Sequence, residues 1–218
     1  MPLGHPHAML FRTSLIFTAC AAFAALLTSC GSLPLVKDDR NTMIVSVKDQ
    51  RMLLITDGQP VKTYRISTSR YGLGDQPGSH RTPLGRMEVA RKIGGGQPQG
   101  AVFKSRRPTG EVLKPDAPGR DPIVSRILWL RGTEPHNKNA FPRYIYIHGT
   151  PERRNLGKPV SYGCIRMCCR DVIDLYNRVG YGAQVYVTRG SLRDTDAGKA
   201  WFAANGNPLR KLARRWST

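Results

Sequence analysis

Residues 144–150 read YIYIHGT and residues 161–167 read SYGCIRM, and the reading of the chain turns on these two runs. The first alternates apolar residues as a strand does and carries His148 near its end; the second sets Cys164 between Gly163 and Ile165. A cysteine attacks as its thiolate, so a site built on it must lower the thiol pKa or supply a base. His148 is the candidate base. Cys164 stands just before a helical pattern whose N-terminal field favours negative charge, and Arg166 adds positive potential. Gly163 permits close backbone approach, so N–H groups beside Cys164 can form an oxyanion hole. Such a set serves acyl transfer through a thioester. Plainer readings compete with it. A cysteine before a helix is often a small buried hydrophobe, and a strand-end histidine is often structural. Zinc on His148, Cys164, Cys168 and Cys169 lacks the paired C-x2-C spacing of structural sites. The residues alone leave these alternatives open.

Outward from that stretch, the chain reads mainly as strands. Alternation predicts strands at Met43–Val47, Arg51–Thr56 and Val61–Ser67, with Asp57-Gly58 as a hairpin turn between the last two. The Gly- and Pro-rich run 68–85 predicts a long surface loop, followed by a strand at Arg86–Ala90. Gly94-Gly95-Gly96 is a turn and not a phosphate loop, because no Lys-Ser/Thr pair follows it. Residues 97–122 show weak periodicity and predict no defined path. Strands are expected again at Ile123–Leu130 and Tyr144–His148. Val172, Leu175, Tyr176 and Val179 then fall at helical spacing, predicting a helix over 170–179 that stops at Gly180, with a closing strand at Ala183–Thr188. The expected fold is mainly β with one packed helix. Residues 190–218 form a basic C-terminal extension of helical character. Ser191 and Asp194 resemble a capping box, and Leu209, Leu212 and Trp216 line one face among basic residues.

The N-terminus has a different use. Arg12 precedes an apolar run, Leu15–Leu27, that is short for a membrane span and sized for a signal peptide. Leu27-Thr-Ser-Cys30 resembles a bacterial lipobox, so residues 1–30 are expected to direct export and Cys30 to be lipidated. Residues 31–41 read as a spacer. Removal of residues 1–29 costs only Arg12 among charged residues, leaving 33 basic against 15 acidic, a charge of +18. The basic residues are scattered, so a nucleic-acid tail is not indicated; a membrane surface or an acidic polymer suits the charge. Cys164, Cys168 and Cys169 are too few for a disulfide framework.

Taken together, I-H-G-T at 147–150 and S-Y-G-C-I-R-M at 161–167 resemble the signature of YkuD-type L,D-transpeptidases, in an exported lipoprotein form. The likeness extends over 42–189, including Thr82-Pro-Leu-Gly85 ahead of a strand. The resemblance implies a β-sandwich catalytic domain acting on peptidoglycan stem peptides at the periplasmic side of the cell envelope. Cys164 would be the nucleophile and His148 the base. Gly149, Ser161, Tyr162, Gly163 and Arg166 would shape the oxyanion or substrate positions. No metal, organic cofactor or nucleic acid is implied. The thioester would pass to a neighbouring stem's amine; with water as acceptor the same chemistry is an L,D-carboxypeptidase. In one respect this chain departs from the pattern: the family usually has histidine where Tyr162 stands. A tyrosine hydroxyl donates well but accepts a proton poorly at neutral pH, which leaves a non-catalytic cell-wall-binding lipoprotein as the further alternative.

Overall fold

The structure, a computed structural model, describes residues 36–206. The signal at 1–30 with Cys30, the first part of the spacer, and the Leu209, Leu212 and Trp216 face lie outside the described residues.

The chain forms strands β1 (Asn41–Ser46), β2 (Arg51–Thr56), β3 (Gln59–Ser67), β4 (Gly85–Ile93), β5 (Ala101–Lys104), β6 (Arg107–Val112), β7 (Ile123–Gly132), β8 (Tyr146–Thr150), β9 (Ile165–Cys168) and β10 (Gln184–Thr188). Among the described residues two helices accompany them: α1 (Cys169–Arg178) and α2 (Asp196–Asn205). The strands lie in the order β4-β10-β1-β2-β3-β9-β8-β7-β5-β6, and β4 pairs with β7 as well. The sheet therefore returns on itself from β4 round to β7, while the β5–β6 hairpin branches off β7. The hairpin expected at Asp57-Gly58 is present, with both residues at positive φ (50° and 75°) as a two-residue turn between twisted strands requires.

Period-two alternation fills the interior. Met43 and Val45, Met52 and Leu54, Ile165 and Met167, and Val185 and Val187 all point into one core cluster with essentially no exposure. Each such side chain contributes about 2 kcal/mol through burial. Helix α1 turns Val172 and Leu175 onto the same core. It ends at Val179, whose N–H donates to the Leu175 carbonyl.

The mainly β expectation holds, with three differences. Among the described residues a second helix, α2, joins the packed α1; it lies within the 190–218 extension expected to be helical, ahead of the Leu209–Trp216 face. The Ser191/Asp194 capping box is present but closes on a single 3-10 turn, Leu192–Asp194; α2 starts after it, where the Thr195 side chain accepts from the Gly198 amide. Strands β5, β6 and β9 were not expected. The last of these matters most for function, because it separates Cys164 from the helix.

Candidate active site

Strands β7, β8 and β9 lie side by side. Ile127 pairs with His148 and Trp129 with Tyr146 across β7 and β8. Across β8 and β9, which are parallel, Ile147 pairs with Ile165 and His148 with Arg166. Since Ile147, Ile165 and Met167 point into the core, alternation puts Tyr146, His148, Cys164 and Arg166 on the opposite, outer face. There Cys164 packs against a second cluster containing Ile127, Trp129 and Tyr146. His148 and Cys164 are diagonal neighbours on this face, roughly 8 Å apart at Cα by strand spacing and rise. That gap suits an imidazole and a thiol meeting across it.

The environment sets the protonation of each partner. Cys164 is half-buried; its sulfur lies 3.4 Å from the Tyr146 amide, which donates to it, and the thiol donates to the Tyr144 carbonyl at 3.4 Å. Burial pushes the thiol up to about 11, against weaker opposite pulls from the Tyr146 amide, Arg166 and Arg143. His148 is 5% exposed. Burial pushes its imidazole down to about 4; the Gly149 carbonyl opposes this and the Arg166 charge reinforces it. Nδ1 lies 2.9 Å from that carbonyl, which can only accept, so Nδ1 carries the proton and Nε2 keeps the free lone pair. The resting pair is a neutral thiol and a neutral imidazole.

This corrects one expectation. Helix α1 begins at Cys169, beyond the whole of β9, roughly 15 Å of extended chain from Cys164. A helix-terminus field fades within about one turn, so it does not lower this thiol. Proton removal falls to a base.

A loop brace holds the nucleophile segment. Ser161 is fully buried; its hydroxyl donates to the Cys164 carbonyl at 2.6 Å and accepts from the Gly163 amide at 3.3 Å. Its backbone bridges the 68–85 loop through bonds to the Thr68 carbonyl and from the Arg70 amide. Thr82, also fully buried, donates to the Gly163 carbonyl and accepts from the Ser69 amide, both at 3.0 Å. Gly163 sits at φ +116°, and a Cβ there would come to 3.3 Å from the Arg81 carbonyl. The position requires glycine on both counts. Because a trans peptide points its C=O and N–H oppositely, Thr82's hold on the Gly163 carbonyl turns the Cys164 N–H away from the loop. Thr82→Val keeps the shape and strands the Gly163 carbonyl and the Ser69 amide. Denaturant unfolding should show a loss of about 2 kcal/mol; unchanged stability would mean that Thr82 is not the brace.

Tyr162 is not buried with its neighbours. Half of it is exposed, and its ring meets Tyr71 at 5.6 Å and His80 edge-on at 5.9 Å, with the Arg70 guanidinium 5.1 Å from its centroid. Arg166 forms an ion pair with Asp121, and both side chains are nearly buried; Thr150 donates to the same carboxylate. Gly149 matters through its backbone. Its carbonyl orients His148, and a Cβ there would meet the Val124 carbonyl at 2.5 Å. Cys169 is buried against Val102 and Val124, donating to the Thr150 carbonyl at 3.6 Å, and burial holds both its thiol and that of Cys168 above their ordinary value.

Sequence reasoning does not reach Thr82 or Asp121 as parts of the site, and it names Gly149 without its role as the carbonyl that holds His148. Thr82-Pro-Leu-Gly stands out as a pattern, but only the fold shows its hydroxyl reaching Gly163. Asp121 lies in the stretch 97–122, whose weak periodicity predicts no path.

A family model for YkuD, the L,D-transpeptidase catalytic domain, matches residues 40–187. The putative L,D-transpeptidase YkuD of Bacillus licheniformis is 50% identical over 42 residues, 19% of this chain and 26% of that protein. Among solved structures, an L,D-transpeptidase from Mycobacterium smegmatis aligns at 17% identity with a TM-score of 0.45, covering 68% of this chain and 58% of the other. L,D-transpeptidase 3 from Mycobacterium tuberculosis, in complex with a faropenem-derived adduct, aligns at 20% identity with a TM-score of 0.45, covering 68% and 60%. The chain thus spans about a quarter of that curated relative and less than two thirds of these solved chains.

Proposed function

The chain belongs to the YkuD family of L,D-transpeptidase catalytic domains, and on that premise we propose that it is a cysteine acyltransferase acting on peptidoglycan stem peptides. The observation that carries this reading is the placement of the Cys164 thiol and the His148 imidazole on one outer face, with Nδ1 held by Gly149 so that Nε2 is the nitrogen able to accept.

The donor is a tetrapeptide stem, attacked at the carbonyl of its third residue. As Sγ bonds to that carbon, the thiol proton passes to His148 Nε2. The carbonyl oxygen takes up negative charge, which the Cys164 N–H stabilises. The C–N bond then breaks, the imidazolium gives its proton to the departing amine, and D-alanine leaves. In the second half an acceptor amine attacks the thioester and loses its proton to His148. The C–S bond breaks, the sulfur recovers that proton, and a new amide has formed. Ser161 and Gly163 fix the nucleophile loop. Arg166, paired with Asp121, sits next to His148 and disfavours a second positive charge there in the resting state.

Incubating the chain with purified disaccharide-tetrapeptide and resolving the products by mass spectrometry tests the reading. A crosslinked dimer with release of D-alanine is expected. Tripeptide without dimer would assign the carboxypeptidase reaction instead, and bound but unchanged substrate would assign a binding protein in which Tyr162 has cost turnover.

The Leu27–Cys30 segment supports export to the periplasmic side of the envelope and a lipid anchor on Cys30. Metabolic labelling with an alkyne fatty acid should mark the chain and fail in Cys30→Ala; equal labelling of both would remove Cys30 as the anchor.

A further inference from the structure

We propose that Arg106 recognises a free carboxylate on the donor stem and so selects anionic stems over amidated ones, an inference that rests on the stem-peptide reading above. Arg106 is at the tip of the β5–β6 hairpin, in a two-residue turn with Ser105. Both residues lie at positive φ, 49° and 67°. Such turns are ordinarily built from Asn-Gly or Asp-Gly, since a side chain in this backbone region is strained. Strain held at an exposed tip directs attention to what the tip presents.

The tip presents a guanidinium on an aromatic shelf. Its centre is 4.9 Å from the Tyr144 ring and 5.2 Å from the Trp129 ring, and it interacts with the Tyr146 phenol. That shelf adjoins the nucleophile. Trp129 and Tyr146 belong to the cluster against which Cys164 packs, and the carbonyl of Tyr144 accepts the Cys164 thiol. Arg91 lies over Trp129 as well, at 5.7 Å, so the shelf carries two cations.

The carboxylates on the neighbouring segments are already engaged. Glu111 pairs with Arg120, Asp116 with Arg153 and Asp121 with Arg166. Among the described residues no salt bridge engages Arg106. The guanidinium carries five N–H donors, and those not turned to the Tyr146 and Tyr144 phenols remain for a planar anion; a carboxylate matches that fork. Stem peptides carry such carboxylates on their side chains and at their C-terminus, and amidation removes them without changing the shape much.

Isothermal titration decides the matter, using the full chain carrying Cys164→Ala so that bound peptide is not consumed. The ligands are a free-carboxylate disaccharide-tetrapeptide and its carboxamide counterpart. Adding Arg106→Gln should weaken the first about tenfold, the loss of one charge-assisted hydrogen bond, and the second by less than about twofold. Arg106→Lys, which keeps the charge without the fork, should fall between. Equal weakening of both peptides would reduce Arg106 to a packing role and overturn the proposal. So would unchanged affinity for the free-carboxylate peptide, or no binding of it to the Cys164→Ala chain. D-alanine release by the chain with Cys164 intact reports separately on acyl transfer, so loss of one reading is distinguishable from loss of the other.

Discussion

Cys164→Ala should release no D-alanine from a tetrapeptide stem, a fall on the order of 10⁴-fold or more, the scale seen when a covalent nucleophile is removed from a coupled catalytic set. On the outer face of β8 and β9 its neighbours are Tyr146, His148 and Arg166, and none of them replaces a thiol as the acyl acceptor. Cys169 is buried on another cluster, and Cys168 ends β9 beside Thr150, away from the Tyr144 and Tyr146 backbone that holds the Cys164 sulfur. Neither offers a substitute. The change removes one half-buried sulfur and leaves intact the Ser161 and Thr82 bonds to the surrounding backbone. Thermal unfolding should therefore be nearly unchanged, which separates loss of chemistry from loss of fold. Turnover retained by the variant, measured as D-alanine per chain, would remove Cys164 from the reaction.

His148→Gln should lower kcat by about 10²- to 10⁴-fold, the usual worth of a positioned general base, and should change how the rate depends on pH. A thiol with a pKa of about 11 is only about one ten-thousandth ionised at pH 7. The parent chain avoids that handicap because neutral His148 takes the proton during attack. With the imidazole at about 4, the base is free at every pH above that value and is lost only as pH falls through it. The parent's kcat/KM should thus be flat from about pH 5 to 10, with an acid limb near 4 and none near the ordinary histidine value of about 6.5. The variant must rely on the small thiolate fraction, so its rate should climb about tenfold per pH unit towards 11. A parent profile that bends near 6.5, or a variant profile as flat as the parent's, would contradict the assigned protonation states.

Local signals made much of this legible from sequence. Strand β2 falls where alternation places it, Asp57-Gly58 makes the hairpin its turn chemistry demands, and Val172, Leu175, Tyr176 and Val179 mark α1 to within a residue at each end. Motif and residue chemistry single out His148 and Cys164 as the candidate pair, and the register of β8 and β9 with strand alternation sets them on one face. Strand β9 escaped because its four residues run straight into α1, so the alternation of Ile165 and Met167 merges with the helical period that follows. The β5–β6 hairpin escaped because Ser105-Arg106 is not a turn pair that sequence rules recognise, and Pro108 and Gly110 break the strand pattern of β6. One of the two devices read from the sequence fails for a related reason. Nearness to a helix suggests a lowered thiol pKa beside the base, whereas burial, a tertiary property, raises it.

Intact-protein mass spectrometry of the chain, acid-quenched during turnover of a disaccharide-tetrapeptide, tests the central claim most directly. The account predicts a covalent adduct of the donor less its terminal D-alanine, mapped by digestion to Cys164 and discharged by hydroxylamine as a thioester is. D-alanine released with the protein unmodified throughout, or with the adduct on any other residue, would contradict it.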